Sequence, residues 1–191
     1  MAPKPPTGAR ELYAGPESGP EKPFPVKVNG PIVKGFGRGS KELGIPTANI
    51  PLSGLEIGGH EDLDSGIYYG WAGLNLDDTN NKGTIYPMVM SIGWNPFYGN
   101  KVRSLEVHIM HKFGRDFYGH HLNLIILGFI RPEYDYVSKE SLIEDIETDI
   151  QVTARSLERT AYVKWKNDEY LKTFPEGGEV PAEPSDAVAS T

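Results

Sequence analysis

The chain contains no cysteine. Disulfide staples, thiolate metal sites and cysteine nucleophiles are therefore excluded. No apolar run approaches the roughly 20 residues of a membrane-spanning helix. The opening Met1-Ala2-Pro3-Lys4-Pro5-Pro6 lacks an apolar signal core, and its prolines argue against an amphipathic transit helix. The expectation is a soluble protein of the cytoplasm with no membrane insertion; the Pro-rich N-terminus does not decide against an additional mitochondrial pool. Positive charge is also scarce: 19 Lys and Arg face 26 Asp and Glu, for a net charge of −7. That balance argues against a broad nucleic-acid surface but leaves room for a local basic pocket. Hydrophobic residues make up only 38%, and the deficit lies at the ends. Residues 1–25 hold seven of the sixteen prolines; residues 175–191 hold four acids and no Lys or Arg. Both ends are expected to be disordered tails flanking one domain at 26–174.

What is present concentrates in residues 33–51. Four glycines (Gly35, Gly37, Gly39, Gly44), three cations (Lys34, Arg38, Lys41) and a Thr47-Ala48-Asn49 segment share nineteen residues. Glycines let backbone N–H groups approach an anion closely, and adjacent cations add charge. The pattern is neither the dinucleotide fingerprint nor the P-loop, since Ser40 stands at the last glycine and no helix signal follows. Pro46 and Pro51 bracket an extended segment in which Thr47 and Asn49 point to one side. A hydroxyl and an amide oxygen together suit Mg²⁺, which completes its shell with water and substrate phosphates. The plainer reading of each piece alone is a surface turn bonded to its own backbone.

Short strands follow: 26–33 (broken at Gly30-Pro31), 66–74, 84–93, an alternating 104–111 and an apolar 122–130. Residues 77–83 have the composition of a hairpin loop, and Pro87 predicts an edge or bulge. Ser138 is the expected cap of one long helix with Leu142, Ile146, Ile150, Ala154 and Leu157 on its apolar face. Its acids lie early and its arginines late, as the helix dipole favours. A shorter aromatic helix is expected around 162–174. Five or six strands and one long helix imply a closed or nearly closed β-barrel with a C-terminal helix.

Glu106 sits mid-strand, where a carboxylate is disfavoured, on the same face as His108. It is either an ordinary solvent-facing charge or a general base for a bound hydroxyl. Histidines 108, 111, 120 and 121 fit no zinc spacing.

Taken together, the blocks resemble the eukaryotic, monofunctional riboflavin kinases (flavokinases). They are Gly35-Phe36-Gly37-Arg38-Gly39-Ser40-Lys41, Leu43-Gly44-Ile45-Pro46-Thr47-Ala48-Asn49, Gly66-Ile67-Tyr68-Tyr69-Gly70-Trp71, Ser91-Ile92-Gly93-Trp94-Asn95-Pro96, Glu106-Val107-His108-Ile109-Met110-His111, Asp116-Phe117-Tyr118-Gly119 and Leu127-Gly128-Phe129-Ile130-Arg131-Pro132-Glu133. They occur in the family's order across roughly residues 26–165. The resemblance implies a mainly β fold, a six-stranded antiparallel Greek-key barrel with a C-terminal helix. It implies transfer of the ATP γ-phosphoryl group to the 5′-hydroxyl of riboflavin, giving FMN and ADP. Carried over by position, Gly35 and Lys41 lie on the ATP-binding loop, Thr47 and Asn49 hold Mg²⁺ and phosphate oxygens, and Glu106 is the catalytic carboxylate. His111 and Arg131 fall in segments near the flavin, and Tyr118 in a flap over the nucleotide. No adenylyltransferase module precedes the matching region, so FAD synthesis is expected to be absent. The expected partners are riboflavin and ATP, without nucleic acid, and the expected state is a monomer. The competing reading is a non-catalytic barrel that binds flavin or single-stranded nucleic acid through its aromatics and basic loop.

Overall fold

Alternation builds the sheet. Along residues 103–109 every second side chain, Arg103, Leu105, Val107 and Ile109, is buried, while Ser104, Glu106 and His108 are partly exposed. The same period of two recurs in β1, Val26–Pro31, and β2, Ala48–Pro51. The computed structural model describes residues 2–33, 44–52, 57–76, 83–94, 103–114 and 116–175. The remaining strands are β3 (Gly66–Leu74), β4 (Ile85–Trp94), β5 (Arg103–Ile109) and β6 (His121–Pro132). All neighbours pair antiparallel in the order β1-β6-β3-β4-β5-β2. Just past β1, Val33 donates its N–H to the Asn49 carbonyl at 2.9 Å, which brings the two edge strands together. The expected six-stranded antiparallel Greek-key barrel is the fold observed.

The barrel has an inner and an outer core. Ile50, Tyr68, Met88, Met90, Leu105 and Val107 fill the inside. Tyr69, Trp71, Ile125 and Leu127 point outward and pack beneath α1 (Lys139–Glu158), against Val152 and Leu157. Ser138 caps α1 as expected, accepting the Ser141 N–H. Among the described residues no helix is long and apolar enough to cross a membrane.

Four local expectations change. Pro87 marks no edge, because β4 lies between β3 and β5. In an antiparallel pair a residue's N–H and C=O face the same neighbour. The Pro87 carbonyl accepts from Met110 N, so its missing N–H faces a residue just beyond the end of β5. The bulges lie elsewhere, in β6, where Ile130 and Leu127 drop out of the β3 ladder.

The helix buries a face that is rotated from the one its apolar residues mark and shares Leu157 with it. Its fully buried positions are Asp149, Val152, Thr153, Ser156 and Leu157, while Leu142, Ile146 and Ile150 are half-buried. The cause is the N-terminal segment. Residues 2–25, expected as a disordered tail, lie along α1. Ala14 N donates to Ser156 Oγ at 2.9 Å, Tyr69 Oη to Ala14 O at 2.7 Å, and Tyr162 Oη to Pro16 O at 2.8 Å. Ser156 faces this segment because it bonds the Ala14 backbone, and Asp149 because it bonds the Arg10 side chain. Gly15, at φ +72°, leaves room for the two tyrosine hydroxyls; a Cβ there would stand 2.6 Å from Tyr162 Oη.

After α1 the described residues form only α2 (Thr160–Val163) and two 3₁₀ turns, Lys164–Asn167 and Glu169–Leu171, in place of one aromatic helix. Asp168 interrupts it by accepting the Tyr170 N–H. Of the expected hairpin loop at 77–83 only Gly83 is described, and the C-terminal tail from residue 176 on lies outside the described residues.

Gly70 sits where β3 meets a β6 bulge, and a Cβ there would collide with the Ile125 carbonyl oxygen. Gly70→Ala is expected to cost about 3 kcal/mol, at the upper end for overpacking, because the colliding atom is backbone. Urea unfolding measures it; wild-type stability would contradict this close approach.

Candidate active site

Register assembles the site. Asn49 of β2 stands directly opposite Glu106 of β5, and Glu106 stands directly opposite Ser91 of β4. Directly opposed residues place their Cβ atoms about 4.5–5.5 Å apart, so these three outer-face side chains form one row. All three are partly buried. The row continues through Ile67 of β3 to Arg131 of β6. Three strand spacings separate Glu106 from Arg131, about 14 Å at ~4.8 Å each. An elongated strip therefore runs across the outer face, with Asn49 and Glu106 at one end and Arg131 at the other.

Thr47 lies just before β2. His108 Nδ1 is 2.9 Å from the Pro46 carbonyl, which can only accept, so the Nδ1 proton donates and ties this segment to β5. Thr47, Asn49 and Glu106 are thus held together by pairing of one short strand. Val33, the residue before the glycine-rich stretch, pairs with Asn49. Gly35 and Lys41 lie outside the described residues.

Tyr118 reaches the same region from another side. Gly119 N donates to Ile32 O at 2.8 Å, and Ile32 N to His120 O at 2.9 Å, so the turn that carries Tyr118 is stitched beside Val33. Tyr118 itself is 50% exposed. His111 is also exposed and stacks 4.8 Å from both Tyr86 and Phe113; Phe113 in turn meets Phe117 at 4.6 Å. His111, two residues past the end of β5, therefore groups with the Tyr118 turn and not with Arg131.

Arg131 is 5% exposed, and its guanidinium is committed. Its Nε and Nη2 donate to the Asp149 carboxylate at 2.7–3.1 Å, and Nη1 donates to Pro132 O at 3.1 Å. The rings of Tyr134 and Tyr136 stand 5.1 and 5.9 Å from it. Glu133, two residues on, was not singled out from the sequence. A Cβ on Gly93 would lie 2.8 Å from its Oε1, so the absent side chain at 93 makes room for this carboxylate near the row. Burial pushes the Glu133 carboxyl up, Arg103 pulls it down, and the Glu106 charge pushes it up further. Asp149 was read as one of several helix acids, but it is buried and paired; only a contact distant in sequence reveals it.

A carboxylate beside an amide oxygen and a hydroxyl offers a proton acceptor next to two hard, neutral metal ligands. That donor set fits Mg²⁺ shared with phosphate oxygens.

The comparisons with known proteins bear on the same region. A family model described as Flavokinase, riboflavin kinase, matches residues 22–157. The chain belongs to the riboflavin kinase family. It is 52% identical to the riboflavin kinase of Aspergillus terreus over 182 residues, covering 84% of this chain and 87% of the relative. It is 51% identical to that of Pyricularia oryzae over 164 residues, covering 81% and 82%. The crystal structure of riboflavin kinase from Trypanosoma brucei is similar at 25% identity with a TM-score of 0.59, covering 79% of this chain and 91% of that one. The family model's match begins at residue 22, so most of the N-terminal segment that lies on α1 precedes that match.

Removing Asp149 would leave Arg131 charged and buried without its partner. Asp149→Ala is expected to cost about 3–5 kcal/mol of stability in chemical denaturation. A loss below about 1 kcal/mol, the range of an exposed pair, would contradict the pairing.

Proposed function

We propose that the Asn49–Glu106 row is where this riboflavin kinase family member transfers the γ-phosphoryl group of ATP to the 5′-hydroxyl of riboflavin, giving FMN and ADP. Family membership carries the activity: the chain is an enzyme that phosphorylates riboflavin. The comparisons give no support to a non-catalytic flavin- or nucleic-acid-binding barrel. The observation that carries the assignment of the site is the direct pairing of Asn49 with Glu106.

Phosphoryl transfer needs positioning and charge neutralisation more than covalent chemistry. Glu106 accepts the proton of the attacking hydroxyl as the new P–O bond forms. Thr47 and Asn49 would hold Mg²⁺, which neutralises phosphate charge when bound. Gly35 and Lys41 supply backbone donors and a cation to the nucleotide phosphates, and Tyr118 covers the nucleotide. The exposed ring of His111, grouped with the Tyr118 turn, supports assigning it to the nucleotide end rather than the flavin end. The flavin ring then extends along the strip toward Arg131, which shapes that corner from below while bonded to Asp149. A monomer is the working unit in this proposal.

Incubation with riboflavin, ATP and Mg²⁺ followed by chromatography is expected to yield FMN; its absence across several divalent metals would overturn the assignment. Glu106→Gln is expected to keep riboflavin and ATP binding while kcat falls about 10²–10⁴-fold. Near-normal turnover would remove Glu106 from its role. Asn49→Ala is expected to raise the Mg²⁺ concentration needed for half-maximal rate, and an unchanged Mg²⁺ titration would count against the metal ligands.

A further inference from the structure

The end of β6 and the residues after it form a corner at 131–136, which the N-terminal segment meets once directly, at Asp135, and once through α1, by way of Arg10. Asp135 N donates to Pro3 O at 2.9 Å. Arg10 spans two carboxylates of α1: its Nη1 donates to Asp145 Oδ1 at 3.0 Å and its Nη2 to Asp149 Oδ1 at 2.6 Å. Each carboxylate has a second partner in the corner. Asp145 Oδ2 accepts from Tyr136 Oη at 2.7 Å, and Asp149 holds Arg131. Two arginines and two aspartates thus form a charge-balanced, largely buried cluster, with Asp149 2% and Arg10 19% exposed at their side chains. Asp145 and Asp149 stand one helical turn apart, and among the described residues only Arg10 bridges them. Without Arg10 the two carboxylates would share one face with a single cation. Asp145, the more exposed of the two, would then turn toward water and release Tyr136.

We infer that residues 2–25 act as a strap that sets the riboflavin end of the site, with Arg10 as the positioning residue. This rests on the reading above that the flavin extends toward Arg131. Arg10 touches neither substrate. It acts through Asp149 on Arg131 and through Asp145 on Tyr136. The far end of the strap is held independently, at Ala14 and Pro16, by Ser156, Tyr69 and Tyr162. Loss of Arg10 therefore loosens the corner without freeing the whole segment.

Steady-state kinetics on the full chain tests this with Arg10→Ala, Arg10→Lys and Arg131→Lys, each confirmed folded by thermal melting. Arg10→Ala is expected to raise the riboflavin KM about three- to tenfold, the range for residues that couple to a site without touching ligand, with kcat and the ATP KM unchanged. Arg10→Lys is expected to recover part of the loss, because one ammonium can still lie between the two carboxylates. An unchanged riboflavin KM in Arg10→Ala, alongside a raised one in Arg131→Lys, would overturn the strap and leave the flavin placement standing. An unchanged riboflavin KM in Arg131→Lys would overturn the flavin placement itself. Equal rises in both KM values without recovery by Arg10→Lys would reduce Arg10 to a purely structural contact.

Discussion

Strand register is the constraint on which the site depends. Side chains alternate faces with a period of two, so a one-residue slip of β2 against β5 would turn Asn49 inward and break its pairing with Glu106. The apolar inner face prevents that slip: Ala48 and Ile50 are buried beside Val107 and Leu105, their register partners. The hydrophobic effect, acting on the inside of the barrel, therefore fixes the polar row on the outside. The closing bond from Val33 to Asn49 adds a second restraint at the same residue. A single position closes the barrel, begins β2's outward-facing set and stands beside the carboxylate.

The opposite end of the strip obeys different physics. There the order comes from paired charge, not from sheet register alone. Arg131 and Asp149 are both nearly inaccessible to solvent, and a buried ion pair is tolerated only when its remaining hydrogen-bonding groups are satisfied. Pro132 O and Arg10 provide those partners. The helix is consequently more than a cover for the outer apolar face; Asp145 and Asp149 make it the support on which the corner after β6 is built.

Local pattern revealed the strands, the Ser138 cap and the placement of Glu106 and Asn49, because alternation and capping are written in neighbouring residues. The N-terminal segment was not legible. Its prolines and few apolar residues read as disorder, yet its order comes from side chains distant in sequence, Tyr69 and Tyr162, that capture its backbone carbonyls. Prolines also lower the conformational entropy lost when such a segment is immobilised. The helix face misled for the same reason: Ser156 and Asp149 are buried for their hydrogen bonds, which hydrophobic periodicity cannot register. Glu133 and its space over Gly93 depended on a long-range contact of the same kind. His111 and Arg131 were grouped by resemblance, whereas ring contacts through Phe113 and Phe117 set His111 beside the Tyr118 turn.

Coupling between Asn49 and Glu106 tests the account most directly, because direct register pairing is what makes the two one unit. A double-mutant cycle on kcat with Asn49→Ala and Glu106→Gln at saturating substrates measures it. The account predicts strong non-additivity, the double variant turning over hardly more slowly than the worse single variant. Losses that simply multiply would contradict it.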